Sequence, residues 1–212
     1  MNRSLRNNIF SVIDIIIIKY QIFISTIISK VSLKFQYCDF GKNFKTSGKC
    51  FFKAYNSKSI TIGDRVSLYS SHRTNRIGLT NPTMIQTLRD GNISIGNDCG
   101  CSGVIISSRT KIEIGNKVKI GANTKILDHD FHSLCKEQRN SFDDNKYIKS
   151  EPIIIKDDVF IGVNSIILKG VEIGSGSVVG AGSVVTMKKI PSNVVVAGNP
   201  AKIVKKLSYG SK

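Results

Sequence analysis

An aliphatic residue recurs every six positions through the C-terminal part of this chain. A second residue, small or aliphatic, follows most of these positions at a distance of four. The unbroken first series is Ile155, Ile161, Ile167, Ile173, Val179 and Val185, and the second is Val159, Ser165, Val171, Ser177 and Ser183. The spacing recurs at Ile114, Ile120 and Ile126, and weaker copies begin at Ile62 and Ile95. A period of six fits neither an α-helix nor an ordinary alternating strand, so it predicts a short repeated unit.

We interpret this unit as a short strand followed by a corner. One large aliphatic side chain points inward, and the smaller residue beside it leaves the room that this side chain needs. Gly and Asn near the corners relieve the steric penalty of positive φ. Three units make one turn of a triangular coil, and stacked coils bury a continuous Ile/Val column. The pattern therefore predicts an all-β fold, a parallel β-helix over residues 37–198.

The repeat fails in two places, which predicts loop insertions near residues 70–92 and 127–154. The second insertion follows Ile126 and holds two of the three histidines in the chain. The first holds His72, for which we expect an exposed loop position. Because Pro200 cannot extend a strand ladder, residues 199–212 are predicted to form a short C-terminal tail.

The N-terminal residues 9–33 are strongly apolar and predict a helical segment over residues 1–36. Asp14, Lys19 and Lys30 interrupt the run, so no uncharged window reaches the roughly 20 residues of a membrane span. Asp14 and the lack of a cleavage site also argue against a signal peptide. Two interpretations stay open: a helix that packs on the body or between subunits, or one that lies on the inner face of a membrane. The second would use the basic residues Arg3, Arg6, Lys19, Lys30 and Lys34.

The chain carries 31 basic and 15 acidic residues, a net charge of +16. This excess favours an anionic partner, either a phosphate-rich small molecule or a membrane surface. Nucleic acid is not expected, because the lysines are scattered and no nucleic-acid-binding motif is present. The five cysteines form no CxxC pair, which favours reduced thiols and a cytoplasmic location.

The second insertion begins with the sequence LDHDFHS, in which two histidines compete for one chemical role. An imidazole whose pKa lies near neutrality suits a general base. His132 lies six residues after Ile126, on the next expected corner, and His129 is the alternative. Asp130 or Asp128 would orient the imidazole, unless these carboxylates serve only the turn.

These repeats and the Asp128-x-Asp130-x-His132 motif resemble the hexapeptide-repeat acyltransferases, and among them the sugar and polysaccharide O-acetyltransferases. The resemblance covers roughly residues 58–207. It implies that the β-helix is left-handed, that the protein is a homotrimer and that acetyl-CoA is the co-substrate. In an ungapped match the family's catalytic histidine falls on His132, whereas a short gap places it on His129.

The resemblance also implies a coenzyme A groove along the outside of the coils, between two subunits. The matching positions are Phe160, Val163, Ala181, Thr186, Lys188, Lys202 and Lys205. The run Met187-Lys188-Lys189 is one residue longer than the family pattern, so the choice of phosphate-binding lysine stays open.

Acetylation of a sugar hydroxyl in the synthesis of a surface polysaccharide, such as capsule or O-antigen, is the function that the resemblance favours. The expected location is the cytoplasm, with peripheral contact at the inner membrane face as one of the two N-terminal interpretations. N-acetylation of an amino sugar and acetylation of a xenobiotic stay open. A metal-binding trimer like the γ-carbonic anhydrases, or a structural trimer, is the alternative from a different class. No metal is expected, because the loop around His129 and His132 matches the transferases better.

Overall fold

The computed structural model describes residues 3–208, with side chains from Ser11 onward, and shows a triangular parallel β-helix. Sheet A contains β1 (Asp39–Phe40), β4 (Ile60–Ile62), β7 (Asn92–Ile95), β10 (Lys111–Ile114), β13 (Ile153–Ile155), β16 (Glu172–Ile173) and β19 (Lys189–Ile190). Sheet B contains β2 (Lys45–Gly48), β5 (Ser67–Ser70), β8 (Gly100–Ser102), β11 (Lys119–Ile120), β14 (Phe160–Ile161), β17 (Val178–Val179), β20 (Val194–Gly198) and β21 (Ala201–Lys206). Sheet C contains β3 (Phe51–Lys53), β6 (Met84–Thr87), β9 (Ile105–Ser108), β12 (Lys125–Leu127), β15 (Ile166–Leu168) and β18 (Val184–Val185).

Successive strands pass from sheet A to B to C and back to A, so the prism has three edges. We call them the AB, BC and CA edges, after the sheets that the chain leaves and enters. Residues eighteen apart pair in the regular coils, as Ile155 with Ile173 and Ile167 with Val185. One coil therefore consists of three six-residue units, as the sequence predicted.

The six-residue series forms the axis of the prism. Each of its members from Ile155 to Val185 is at most 1% exposed, and so is each member of the second series. The second-series serines satisfy their hydroxyl groups locally: Ser165 donates to Gly162 O at 2.8 Å and Ser183 donates to Gly180 O at 2.6 Å. A buried hydroxyl without such a partner would be costly. Small polar residues thus occupy the core without a loss of hydrogen bonds.

A ladder of Asp and Asn side chains fixes the spacing of coils at the AB edge. Asp157 Oδ1 accepts the Asn116 N–H at 2.6 Å, and Asn116 Oδ1 accepts the Asn97 N–H at 2.9 Å. Asn97 Oδ1 accepts the Asp64 N–H at 2.7 Å. Each side chain therefore satisfies a backbone N–H in the coil before it, where the corner leaves that group without a strand partner.

Both predicted insertions are present, with narrower bounds in the first case. The first loop spans residues 71–83 at the BC edge, because β6 resumes the coil inside the segment expected to be irregular. The second loop spans residues 128–152 at the CA edge and contains two short helices, α2 (Lys136–Arg139) and α3 (Asp144–Tyr147). The predicted C-terminal tail is also partly regular. Its strand β21 pairs antiparallel with β20 and extends sheet B, and residues 209–212 lie outside the described residues.

The N-terminal segment forms one long helix, α1 (Arg3–Phe35), that packs on the first coil. Its stretch Ser11–Phe35 is long and apolar enough to cross a bilayer, judged by length and composition alone. Ser25 Oγ donates to Thr46 O at 2.6 Å, and the Thr46 N–H donates to Thr26 Oγ1 at 3.0 Å. These bonds satisfy the free edge of β2, the first strand of sheet B. The helix thus closes the open end of the prism.

Removing one buried side chain from the axis tests the packing directly. Ile167→Ala should lower the free energy of unfolding by about 2–5 kcal/mol, because the coils on either side prevent the cavity from collapsing. Urea unfolding followed by circular dichroism measures the change. The control is Ile203→Ala on β21, where the side chain is 44% exposed and the expected loss is below about 1 kcal/mol. Equal losses at the two positions would contradict an axial core.

Candidate functional site

The second insertion leaves the prism at the CA edge, immediately after β12. Asp128 is fully buried there and accepts four hydrogen bonds with its carboxylate. The donors belong to the preceding coil: Ser108 Oγ (2.8 Å) and the backbone N–H groups of Arg109 (2.7 Å), Thr110 (2.9 Å) and Lys111 (2.8 Å). Asp128 therefore ties the corner that precedes the two histidines to the coil before it, and these four bonds go to that coil, not to its own turn or to an imidazole.

His129 is the buried histidine of the motif, with 4% of its surface exposed. Its Nε2 lies 3.5 Å from Ser107 Oγ, and its Nδ1 is buried without a hydrogen-bond partner among the described residues. The Phe131 ring lies edge-on at 4.5 Å between centroids. Burial lowers the pKa of His129, since an imidazolium there would lose its hydration, so the ring is neutral at neutral pH.

His132 has a different environment, because its side chain is 68% exposed. Its Nδ1 lies 2.6 Å from Asp144 Oδ2, on α3. The Ser133 N–H donates to the other oxygen of Asp144 at 2.8 Å. This N–H and the His132 ring both lower the pKa of Asp144. Asp144 is thus the carboxylate on His132, a partner that lies twelve residues along the loop from it and outside the sequence motif.

Asp130 forms an ion pair across two coils of the CA edge. Its Oδ1 lies 2.5 Å from Lys169 Nζ, and its Oδ2 is buried without a partner among the described residues. Lys169 follows β15 and therefore stacks beside the exit of β12, since Leu127 pairs with Leu168. The sequence analysis did not predict Lys169 as the partner of Asp130, although the register of the repeat places the two residues side by side. The carboxylate of Asp130 thus faces a lysine at this edge.

Arg139 binds the backbone of the loop to which it belongs. Arg139 Nη1 donates to the carbonyl oxygens of Ser133 at 2.9 Å and Leu134 at 3.3 Å. Cys135 is exposed, with its thiol 3.0 Å from Glu137 Oε2.

His72 lies in the other loop, beside α1. Among residues 3–208, no group of three His, Cys, Asp or Glu side chains is placed to bind a metal ion.

The residues predicted for the coenzyme A groove fall on two different edges of this protomer. Val163 and Ala181 stack at the BC edge, where the Gly182 N–H donates to Val163 O at 2.8 Å. A Cβ on Gly162 would lie 2.5 Å from Ala181 N, so only glycine permits this close stacking. Thr186 and Lys188 follow β18 at the CA edge instead, and Lys188 forms an ion pair with Glu151.

The last three groove residues share sheet B. Phe160 is half-exposed on β14, and its strand position continues through Val178 and Val195 to Lys205 on β21. Lys202 pairs with Ala197 near the end of the same hairpin. The C-terminal strand therefore carries Lys202 and Lys205, both exposed, along the sheet whose strands lead into the corners of Val163 and Ala181. Within one protomer, this basic surface and the histidines belong to different edges of the prism.

Comparisons with known proteins agree with this fold. A family model described as the hexapeptide repeat of succinyl-transferase matches residues 152–187. A 2,3,4,5-tetrahydropyridine-2,6-dicarboxylate N-acetyltransferase from Clostridium perfringens is 59% identical over 61 residues, which are 29% of this chain and 25% of that protein. The chain thus spans about a quarter of the curated relatives it matches.

Two solved structures are similar over most of the chain. One is a mutant of AntD, an N-acyltransferase from Bacillus cereus, in complex with dTDP-4-amino-4,6-dideoxyglucose and coenzyme A. It has a TM-score of 0.64 and 23% identity, over 85% of this chain and 89% of that one. The other is the hexapeptide-repeat acetyltransferase VCA0836 from Vibrio cholerae in complex with acetyl-CoA. It has a TM-score of 0.51 and 26% identity, over 85% of this chain and 78% of that one.

The fold class and the family resemblance are confirmed by these matches together with the register of the coils. The chain is a left-handed β-helix of hexapeptide repeats, the fold of hexapeptide-repeat acyltransferases. The similar structures contain acetyl-CoA or coenzyme A, the co-substrate that the sequence predicted.

Replacing Asp128 tests how much its buried hydrogen bonds stabilise the fold. Asp128→Ala should lower the free energy of unfolding by about 3 kcal/mol, because several buried donors lose their acceptor. Thermal and urea unfolding measure the loss. The control is Asp143→Ala in the same loop, where the exposed ion pair with Lys146 should contribute less than about 1 kcal/mol. A fully stable Asp128→Ala protein would contradict the anchoring role.

Proposed function

We propose that this protein is an acetyl-CoA-dependent acetyltransferase that acts on a sugar. The observation that carries the proposal is a buried imidazole, that of His129, at the CA edge of a hexapeptide-repeat β-helix. In the reaction, an acceptor hydroxyl attacks the thioester carbonyl while the imidazole takes the hydroxyl proton. The tetrahedral intermediate then collapses, the C–S bond breaks, and the proton passes to the departing coenzyme A sulfur.

Between the two histidines, the geometry favours His129 as the base. It lies two residues after the end of β12, burial lowers its pKa, and its Nδ1 has no hydrogen-bond partner among the described residues to compete with a substrate. His132 has an orienting carboxylate, Asp144 on its Nδ1, but it lies further along the loop and its side chain is 68% exposed to solvent. Phe131 covers the His129 ring and is the side chain that must move when an acceptor approaches.

We favour a hydroxyl oxygen as the acceptor, because transfer to a hydroxyl requires a general base. A sugar hydroxyl stays protonated at neutral pH and must lose its proton during attack. Synthesis of a surface polysaccharide in the cytoplasm is the setting we propose for this reaction. N-acetylation of an amino sugar is the second candidate, because the Clostridium relative and AntD are both N-acyltransferases by name.

The division of the groove residues between two edges supports a homotrimer. A thioester bound along Val163 and Ala181 at a BC edge cannot share a cleft with His129 at the CA edge of the same prism. Packing the BC edge of one protomer against the CA edge of the next brings these parts together. Phe160, Lys202 and Lys205 would then line the approach of coenzyme A, and their charge suits its phosphates. Thr186 and Lys188 would contribute from the neighbouring protomer.

Substituting each histidine separately identifies the base. His129→Gln should lower kcat at least about 100-fold while the Kd for coenzyme A stays within about twofold, because the ring acts only during proton transfer. His132→Gln should keep kcat within a few-fold, and His72→Gln is the matched control outside the site. Release of free thiol from acetyl-CoA, with sugar nucleotides and oligosaccharides as acceptors, measures the rate. The opposite ranking would assign the base to His132.

The same proposal fixes the pH dependence. Since burial lowers the pKa of His129, the ring stays neutral to a lower pH than an ordinary histidine. The acidic limb of kcat/KM should therefore have its midpoint below the ordinary value of 6.5. A midpoint at or above 6.5 would contradict His129 as the base.

Mixing two inactive variants tests whether the site lies between protomers. His129→Gln and Ala181→Trp protomers should each be inactive in isolation. Random mixed trimers should recover about a quarter of wild-type activity, because that share of interfaces pairs an intact histidine with an intact groove. Co-expression with two affinity tags, followed by sedimentation, measures both activity and mass. A monomeric protein, or mixed trimers without recovery, would contradict the proposal.

A further inference from the structure

Helix α1 contacts the protein through Ser25, Ser29 and, near its end, Leu33, and it turns most of its other large apolar residues outward. Ser25 and Ser29 are buried against the first coil, with hydrogen bonds to Thr46. On the opposite side, large apolar residues are exposed over more than five helical turns. They are Ile13, Ile16, Phe23, Ile27, Val31 and Phe35, each between 45% and 82% exposed, whereas Tyr20, Ile24 and Ile28 line the groove between α1 and the first coil. A helix that only capped the β-helix would have the reverse arrangement.

We propose that this outward side of α1 is a docking surface for an anionic phospholipid bilayer, on which the helix lies flat. The charge near α1 identifies the partner. Residues 1–58 contain ten Lys or Arg and two acidic residues, half of the net charge of the chain. Arg3 and Arg6 lie outside the residues whose side chains are described. Lys19 and Lys34 lie on α1 beside the exposed apolar residues, and both are themselves exposed.

The one acidic residue of α1 faces away from this surface. Asp14 lies 2.6 Å from Arg73 and 3.5 Å from Arg76, both in the loop of residues 71–83. The exposed side of the described helix is therefore apolar and basic without an acidic residue. Anionic headgroups suit the lysines, and acyl chains suit the Ile and Phe side chains. A second copy of the same surface would instead bring lysine against lysine.

The contacts of α1 also decide between lying on a bilayer and crossing it. A crossing helix would have to leave the first coil, since Ser25, Thr26 and Ser29 bond to β2 at the middle of the span. Leaving would uncover the free edge of β2 and break the contacts of Asp14. The helix is about 50 Å long at 1.5 Å per residue, so lying flat places several apolar turns in the interface at once. A surface location would bring the site near lipid-linked acceptors, although the docking does not depend on the proposed activity.

Vesicle flotation with the full-length protein tests this inference. The wild-type chain should float with vesicles of phosphatidylcholine and phosphatidylglycerol, and about tenfold less with phosphatidylcholine alone or at high salt. Alkaline carbonate should extract it. The variant Ile16→Ser/Phe23→Ser/Ile27→Ser should lose binding while its sedimentation mass stays unchanged. The matched control Ile77→Ser/Leu134→Ser/Phe142→Ser removes exposed apolar residues elsewhere and should bind like wild type.

A second pair of variants separates local from overall charge. Lys19→Gln/Lys34→Gln should weaken binding to the anionic vesicles several-fold, whereas Lys189→Gln/Lys206→Gln, at the other end of the prism, should not. Equal weakening by both pairs would overturn the assignment to α1. So would the absence of flotation, resistance to carbonate extraction, or loss of the oligomer in the serine variant. The last of these results would identify the surface as a subunit interface.

Discussion

Inward-pointing side chains meet on the axis of the prism, aliphatic in the coils that follow the first and aromatic, Phe44 and Phe52, in the first coil. Their stacking fixes the position of each residue on the surface of the prism. A large residue such as Ile167 fits because Ser165, beside it, is small and hydrogen-bonded to backbone. This close packing allows no slip between coils, since an offset of one residue would turn the Ile column outward. The ladder from Asp64 to Asp157 holds the same spacing at the AB edge. The proposed catalytic geometry depends on this rigidity, because a base must be held within hydrogen-bond reach of its proton.

The six-residue period was sufficient to predict the regular coils from Ile155 to Val185 and their buried positions, because each unit repeats the same local constraints. It also located both histidines at an interruption. It did not predict β6, which lies inside the segment expected to be irregular. Nor did it predict the partners of the histidines. Asp144 reaches His132 only because α3 folds back across the loop, and no local pattern encodes that return. Lys169 was accessible in principle, since the register places it one coil beyond the exit of β12.

The apolar composition of the N-terminal segment predicts a helix but not how the helix is oriented on the protein. The apolar run of residues 9–33 predicted a helix. Which side of this helix faces the protein depends on the free edge of β2. Ser25 and Thr26 satisfy that edge, so these residues of α1 turn inward and most of its large apolar residues turn outward. The same contacts close the end of the β-helix and leave a surface suited to lipid. One set of hydrogen bonds thus connects the stability of the fold with the proposed location of the protein.

The burial of His129 and the division of the predicted groove residues between two edges support the arrangement we propose, in which neighbouring protomers build the site together. A crystal structure of the protein with bound coenzyme A measures this most directly. We expect the thiol between a BC edge carrying Val163 and Ala181 and the CA edge of the next protomer. The thiol should lie within about 4 Å of the His129 ring, directly or through one water molecule. Coenzyme A bound within a single protomer, or a metal ion held by the histidines in place of the thiol, would contradict it.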